Sequence, residues 1–184
     1  QDSMTLAISQ ASLRRGSAAV YLPIWHPEIE EFIEIRRPTG GDPNRRSLNI
    51  HNGVLVNNAF MIAVENDEDW GLKSPKDGSV VHKVKARDLW IRLLTARIET
   101  GEPYILFIDH VNDRIPDHHK MAGLSVKMSN LCCEITLPTG IDHLGNDRTA
   151  VCCLSSLNLE TFDEWENHPT FIEDIMRFLD NVLS

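Results

Sequence analysis

The chain has 184 residues and a formal net charge of −9 at neutral pH. This length fits one domain or a part of a larger one, and 42% hydrophobic with 24% charged residues is ordinary for a globular protein. The acidic balance argues against a general DNA- or RNA-binding protein, which usually presents a basic surface. The sequence has no apolar run near the roughly 20 residues that a membrane span requires, so no membrane association is predicted.

The cysteines and the start of the chain indicate the cellular compartment. All four cysteines lie in two doublets, Cys132-Cys133 and Cys152-Cys153. No basic start followed by an apolar stretch is present, so no signal peptide is predicted. Cysteines outside a secretory context favour a reducing compartment, and we expect a cytoplasmic protein. Because the sequence begins at Gln1 without methionine, we also expect a piece of a longer protein.

The predicted elements alternate between helices and strands along the chain, which indicates an α/β architecture. The strand-like segments are 17–24, 53–64, 104–109, 129–137 and 149–159. The predicted helices are 4–13, a segment opened by His26-Pro27 and stopped by Pro38, a strongly amphipathic segment from Ala86 to Ile98 ended by Gly101, and a last segment opened by Pro169. Polar or turn-rich connections are predicted over 39–46, 65–78 and 110–127.

The first cysteine doublet lies in the motif Asn-Leu-Cys-Cys-Glu at residues 130–134. In an extended segment the side chains alternate between faces, which would place Asn130, Cys132 and Glu134 together. A thiol flanked by an amide and a carboxylate is suited to chemistry rather than to filling a core. A second thiol, from Cys152 or Cys153, could reach it if the chain folds back at the turn residues between the doublets.

The cysteines admit three simpler interpretations, as core residues, zinc ligands or a hydrolytic nucleophile. Free cysteines are often structural core residues. Zinc sites normally use two-residue gaps, whereas each adjacent doublet would offer one ligand, and the nearby histidines match no standard spacing; no metal site is predicted. A hydrolytic nucleophile needs a thiolate, but the carboxylate of Glu134 favours a neutral thiol at Cys132. A neutral thiol beside a base suits hydrogen-atom chemistry.

Several blocks of sequence, in one order along essentially the whole chain, carry a family resemblance. They are residues 14–35 (RRGSAAVYLPIWHPEIEEFIEI), 44–54 (NRRSLNIHNGV), 130–135 (NLCCEI), 137–139 (LPT) and 150–159 (AVCCLSSLNL). Together they resemble the large, catalytic subunit of class I ribonucleotide reductase. The resemblance implies about half of a ten-stranded α/β barrel with a central finger loop, in one domain over residues 1–184.

The resemblance implies chemical roles for four side chains. Cys132 matches the cysteine that becomes a thiyl radical and abstracts the 3′ hydrogen of the ribose. Glu134 matches the carboxylate that takes the 3′-hydroxyl proton, and Asn130 matches the amide that hydrogen-bonds the substrate. Cys152 matches one member of the redox pair that ends as a disulfide. The substrate-binding residues implied are Asn130, Leu131, Cys132, Cys133 and Glu134, with Cys133 expected to be structural.

Residues 39–49 match the family's specificity loop, which lies between the effector nucleotide and the substrate base. The loop residues concerned are Gly40, Gly41, Asn44, Arg45 and Arg46. Arginine suits this position because its planar guanidinium donates forked hydrogen bonds to bases or phosphates. Arg46 is the better match to the family's base-contacting arginine.

The resemblance also implies partners that the chain does not contain. The radical would come from a dimetal small subunit, with no cofactor held by this chain. Effectors would be dNTPs or ATP, and substrates ribonucleoside diphosphates. A second large subunit, thioredoxin or glutaredoxin, and flanking segments of the same subunit, including the other redox cysteine, are further expected partners. The alternatives are a cobalamin-dependent reductase, where the motif more often has proline at the position of Leu131, and a non-catalytic metal-binding or interaction module.

Overall fold

The computed structural model describes residues 2–8, 15–37 and 46–183. The helices in chain order are α1 (Asp2–Ala7), α2 (Ile29–Glu34), α3 (Asn58–Glu65), α4 (Ala86–Thr100), α5 (Ile108–Asp113), α6 (Asp117–Met121), α7 (Phe162–Trp165) and α8 (Phe171–Val182). The strands are β1 (Ala19–Pro23), β2 (His51–Val56), β3 (Asp69–Lys73), β4 (Val80–Lys85), β5 (Tyr104–Phe107), β6 (Gly140–Ile141) and β7 (Asp147–Arg148).

A parallel sheet with strand order β1-β2-β5 forms the centre of the fold. Parallel neighbours require crossover connections, and here α2 lies between β1 and β2, while α3 and α4 lie between β2 and β5. The β3–β4 hairpin is antiparallel and inserted between α3 and α4. The register aligns Tyr21, Gly53 and Tyr104 in one row across the three strands.

Three helices pack on one face of this sheet. Their fully buried side chains are Ile29 and Ile33 of α2, Phe60 of α3 and Leu93 of α4, and they join Val54 of β2 in one cluster. Phe60 makes edge-to-face contact with Trp70, at a ring-centroid distance of 5.2 Å. Because successive strand residues face opposite ways, the row of Tyr21, Gly53 and Tyr104 points to the other face.

An ion-pair triad ties α4 to α2 across this packing. The guanidinium of Arg92 donates to Glu30 at 2.7 Å and to Glu34 at 2.6 Å. The hydrogen bond from Arg92 holds the pKa of Glu34 below its usual value. Such half-exposed pairs add little to stability, so the triad mainly fixes the angle between the two helices.

The α/β architecture, the first three predicted strands and the helices at Ala86 and Pro169 are confirmed in outline. Residues 58–64 were wrongly predicted as strand. Asn57 breaks the strand and caps a helix instead, since its side chain accepts the Phe60 N–H at 2.9 Å. The connections 65–78 and 110–127 were also wrong in part, because they contain β3 and most of α5 and α6.

The two cysteine segments are not strands. Residues 129–137 form a turn, and residues 149–159 have no ladder pairing before a 3₁₀ turn at Leu159–Thr161. The sheets of the described residues have three, two and two strands, and none of them closes into a barrel. The strands expected at the doublets have no neighbouring strand with which to pair in this part of the chain.

We predict that Leu93→Ala lowers the free energy of unfolding by about 2–5 kcal/mol, because it leaves a cavity at a fully buried position. Denaturant unfolding measured by circular dichroism checks this. Ile98→Ala on the same helix is the matched control, since Ile98 is 87% exposed. Equal losses for the two variants would contradict the assigned core.

Candidate active site

The motif at residues 130–134 is folded into a tight turn closed by Asn130. The backbone N–H of Asn130 donates to Ile135 O at 3.0 Å, and Ile135 N–H donates to the Asn130 side-chain oxygen at 2.9 Å. Cys133 N–H donates to Asn130 O at 3.1 Å, and Cys133 has a left-handed backbone with φ of 69°. The extended geometry expected for this motif is therefore wrong.

The turn exposes two of the three side chains that were expected to share a face, whereas Asn130 is half-buried. Cys132 and Glu134 are exposed, whereas Leu131 and Cys133 are half-buried. The left-handed backbone at Cys133 reverses the direction of the chain. The exposure of these side chains therefore results from a turn and not from the alternation of a strand. The consequence is a thiol and a carboxylate that face open space, with Asn130 at the base of the turn.

A tyrosine from β1 contacts this turn from the sheet. The Tyr21 hydroxyl hydrogen-bonds Ser129 Oγ at 2.5 Å and donates to Cys133 Sγ at 3.6 Å. Burial of the phenol raises the pKa of Tyr21 to about 12. Burial also raises the pKa of Tyr104, with the charge of Glu102 as the next cause.

A buried carboxylate organises the neighbouring part of the sheet. Glu102 is 6% exposed and accepts the backbone N–H of Asn52 at 3.1 Å. His51 Nδ1 lies 2.5 Å from Oε1 of this carboxylate, and Arg36 Nε lies 3.3 Å from Oε2, the oxygen that also accepts from Asn52. The His51 ring stacks on Tyr104 with centroids 5.9 Å apart, so the network of Glu102 extends to the Tyr104 ring.

The chain folds back between the two doublets, as predicted. The strands β6 and β7 pair as a short hairpin. Its connection is fixed by Asp142, whose carboxylate accepts N–H groups from Leu144 and Asn146 and pairs with Arg148 at 2.8 Å. Bonding to the Asn146 backbone and to Arg148 lowers the pKa of Asp142 to about 2.

The fold-back brings parts of both cysteine segments to one cavity. This cavity has a volume of about 220 Å³. It is lined by Met128, Ser129, Asn130, Ile135, Leu137, Thr139, Ala150, Val151 and Cys152. Asn130 and Cys152, which are 22 positions apart in sequence, thus face the same space, and Cys132 lies two residues beyond Asn130.

The structure describes the end of the predicted specificity loop, from Arg46 onward. Four of its residues, Gly40, Gly41, Asn44 and Arg45, lie outside the described residues. Arg46 is described and half-buried. The residues that follow Arg46 are bound to α1. The Asp2 carboxylate accepts from Ser47 Oγ at 2.9 Å and from the Asn49 N–H at 2.8 Å.

Two further features concern the alternatives raised by the sequence. All four cysteines are free thiols, with Cys132 and Cys152 exposed. Within residues 2–8, 15–37 and 46–183, no three His, Cys, Asp or Glu side chains are grouped so as to hold a metal ion. The helices in the same ranges are all too short or too polar to cross a membrane.

The sequence did not indicate the contact of Tyr21 with the turn or the network around Glu102. The available signal was weak. Tyr21 lies in an otherwise aliphatic strand (AVYLP), and Glu102 is an isolated acid just before a strand, but the partners of both are distant in sequence.

Asn130 and Cys152 line one cavity, and the exposed Cys132 and Glu134 lie on the adjoining turn. The model of the ribonucleotide reductase barrel domain matches residues 1–184. The chain belongs to this family. The match to the reductase barrel domain does not favour a metal-binding or interaction module.

The chain is similar to about a third of the length of viral reductase large subunits. The chain is 49% identical over 182 residues to a protein of frog virus 3 (isolate Goorha), covering 99% of this chain and 31% of that protein. It is 38% identical over 236 residues to the ribonucleoside-diphosphate reductase large subunit of invertebrate iridescent virus 3, covering 99% and 36%. The chain thus spans about a third of the length of these relatives.

A solved structure agrees with this assignment to the reductase family. The class Id ribonucleotide reductase alpha subunit of Actinobacillus ureae superposes with a TM-score of 0.63 at 32% identity. The superposition covers 91% of this chain and 27% of that one. The chain therefore resembles a portion of this alpha subunit in both sequence and fold.

We predict that Tyr21 ionises about two pH units later than an exposed tyrosine, with a midpoint near 12 instead of 10.0. A group whose folded pKa is raised contributes stability below its unfolded pKa, so this contribution is lost as the pH rises from 10 to 12. Absorbance of the phenolate, compared between the parent and Tyr21→Phe, isolates one of the two tyrosines. A difference titration centred at the exposed value would contradict the contact.

Proposed function

We propose that this chain forms a central catalytic part of a class I ribonucleoside-diphosphate reductase large subunit, which converts ribonucleotides to 2′-deoxyribonucleotides. The observation that carries the proposal is the shared cavity of Asn130 and Cys152, next to the exposed thiol of Cys132. The family match along the whole chain supports it.

Each side chain would take one step of the reaction. A thiyl radical at Cys132 would remove the 3′ hydrogen atom of the ribose, which forms an S–H bond and leaves a carbon radical. Glu134 would accept the proton of the 3′ hydroxyl, and the 2′ hydroxyl would take a proton from a thiol of the redox pair and leave as water. After the 2′ carbon is reduced, Cys132 would return the hydrogen atom to the 3′ carbon and become a thiyl radical again. Cys132 and Glu134 are both exposed on the same turn, so both can face one substrate.

The reduction at the 2′ carbon requires two electrons. Cys152 would supply one thiol of the oxidised pair, and the second would come from another segment of the subunit, so that the pair ends as a disulfide. Cys152 is exposed and free, as a thiol that must react and then be reduced again has to be. Thioredoxin or glutaredoxin would restore it.

Asn130 would combine a structural and a binding role. Its side-chain oxygen accepts the N–H of Ile135, and its amide nitrogen would donate to the substrate. The amide is thereby fixed in one orientation before a substrate binds. Leu131 and Cys133 would border the same substrate site.

The larger assembly follows from the same proposal. The chain would supply roughly half of a ten-stranded barrel, and the turn at residues 129–135 would form the tip of its finger loop. Several apolar side chains of α8 are exposed, namely Ile172, Met176, Phe178 and Val182, and other parts of the subunit would cover them. A dimetal small subunit would supply the radical, and dNTP or ATP effectors would act through residues 39–49. The assembly would be a cytoplasmic large-subunit dimer.

The decisive experiment measures deoxynucleotide formation by the complete large subunit that contains this chain, reconstituted with its small subunit and a dithiol reductant. We predict that Cys132→Ser abolishes turnover, because a serine hydroxyl does not form the radical that abstracts hydrogen. Cys153→Ser is the matched control, since Cys153 is half-buried and lies outside the lining of the cavity. Intact turnover in Cys132→Ser would refute the proposal.

A further inference from the structure

We propose that Tyr21 is a positioning residue for the cysteine turn, which here means residues 129–135, and that Gly53 is the seat on which its ring rests. Tyr21 acts through Ser129 and Cys133, which it contacts, rather than on a substrate. The effect on turnover rests on the proposed function, whereas the effect on the cysteine turn itself does not.

The seat is created by a missing side chain on the central strand. Tyr21 and Gly53 are direct partners in the parallel register of β1 and β2. A Cβ atom at position 53 would lie 2.4, 2.7 and 2.8 Å from three atoms of the Tyr21 ring, distances that real side chains do not adopt. The ring therefore occupies the space that a side chain at position 53 would need, and any other residue at that position would push it away.

The direction of the hydrogen bonds follows from counting protons. Ser129 Oγ donates its one proton to Asn130 O at 2.9 Å. The same oxygen must then accept from the Tyr21 hydroxyl, since each hydroxyl carries a single proton. The single Tyr21 proton is thus directed mainly at Ser129 Oγ, at 2.5 Å, and the longer contact to Cys133 Sγ, at 3.6 Å, is the weaker branch of a bifurcated hydrogen bond. Tyr21 is the donor that begins a chain running through Ser129 to the backbone of Asn130.

This chain fixes the two adjacent cysteines in different environments. Ser129 is 8% exposed and Cys133 is half-buried, so their contacts with Tyr21 are partly buried. Cys133 also carries the left-handed backbone at which the turn reverses. A sulfur held toward the sheet at that point directs the preceding residue outward, and Cys132 is accordingly exposed. Tyr21 therefore orients Cys132 without touching it.

The proposal is first tested by cysteine alkylation in the complete large subunit. Iodoacetamide is added at limiting concentration, and modification of each cysteine is followed by peptide mass spectrometry. In Tyr21→Phe we expect Cys133 to be modified about tenfold faster, because the loss of the hydrogen bonds of the phenol favours local opening of the turn. Tyr104→Phe, which removes a phenol from the same row of the sheet, is expected to leave the Cys133 rate unchanged.

Gly53→Ala provides a second test that keeps the tyrosine hydroxyl. If the ring is displaced from its seat, Cys133 becomes reactive in this variant as well. Circular dichroism at the far-ultraviolet wavelengths verifies that both variants are folded. An unchanged rate of Cys133 alkylation in folded Tyr21→Phe, or an equal increase in Tyr104→Phe, would overturn the proposal.

Turnover separates this inference from the proposed function. We expect Tyr21→Phe to lower kcat by about tenfold to a hundredfold with little change in KM, since small misplacement of a reacting group costs rates of this order. Adding Tyr21→Phe to Ser129→Ala should cost little more than Ser129→Ala alone, if the two act in one chain. Loss of turnover in Cys132→Ser, with full turnover and unchanged alkylation in Tyr21→Phe, would refute the positioning role and leave the proposed function standing.

Discussion

The two faces of the central strand β2 hold the structure together in different ways. Val54 and Val56 on one face are fully buried beneath the helices, while Gly53 on the other face presents bare backbone. Parallel pairing on both sides fixes this strand, so the helical core and the row across Tyr21, Gly53 and Tyr104 cannot shift independently. The register that forms the core also sets the position of the aromatic side chains on the opposite face.

The cysteine turn depends on that opposite face for its shape. It has no strand partners, and its backbone is closed by Asn130 and supported by Tyr21. The segment before it is held by Asn112, whose amide both donates to Val126 O and accepts Val126 N–H at 2.9 and 2.8 Å. Side-chain amides and hydroxyls therefore supply the bonds that a β-ladder would otherwise provide.

The sequence predicts those parts of the fold that depend on local periodicity. The helix α4 has apolar residues at helical spacing and ends at a glycine with φ of 79°, and both signals are visible in the chain. The helix α3 was missed because its apolar run resembles a strand, and only the capping bond of Asn57 decides between them. The motif residues were found from their chemistry, but Tyr21 and Glu102 act through long-range contacts that no local pattern encodes.

The left-handed backbone at Cys133 gives the two adjacent cysteines different tolerance to sequence change. At position 132 the side chain is exposed, so packing places little restriction on which residue could occupy it. At position 133 the φ of 69° excludes β-branched residues such as valine and isoleucine and admits glycine or asparagine most readily. Among divergent relatives, variation at 133 would thus be filtered by backbone conformation and variation at 132 by chemistry, although the two residues share a peptide bond.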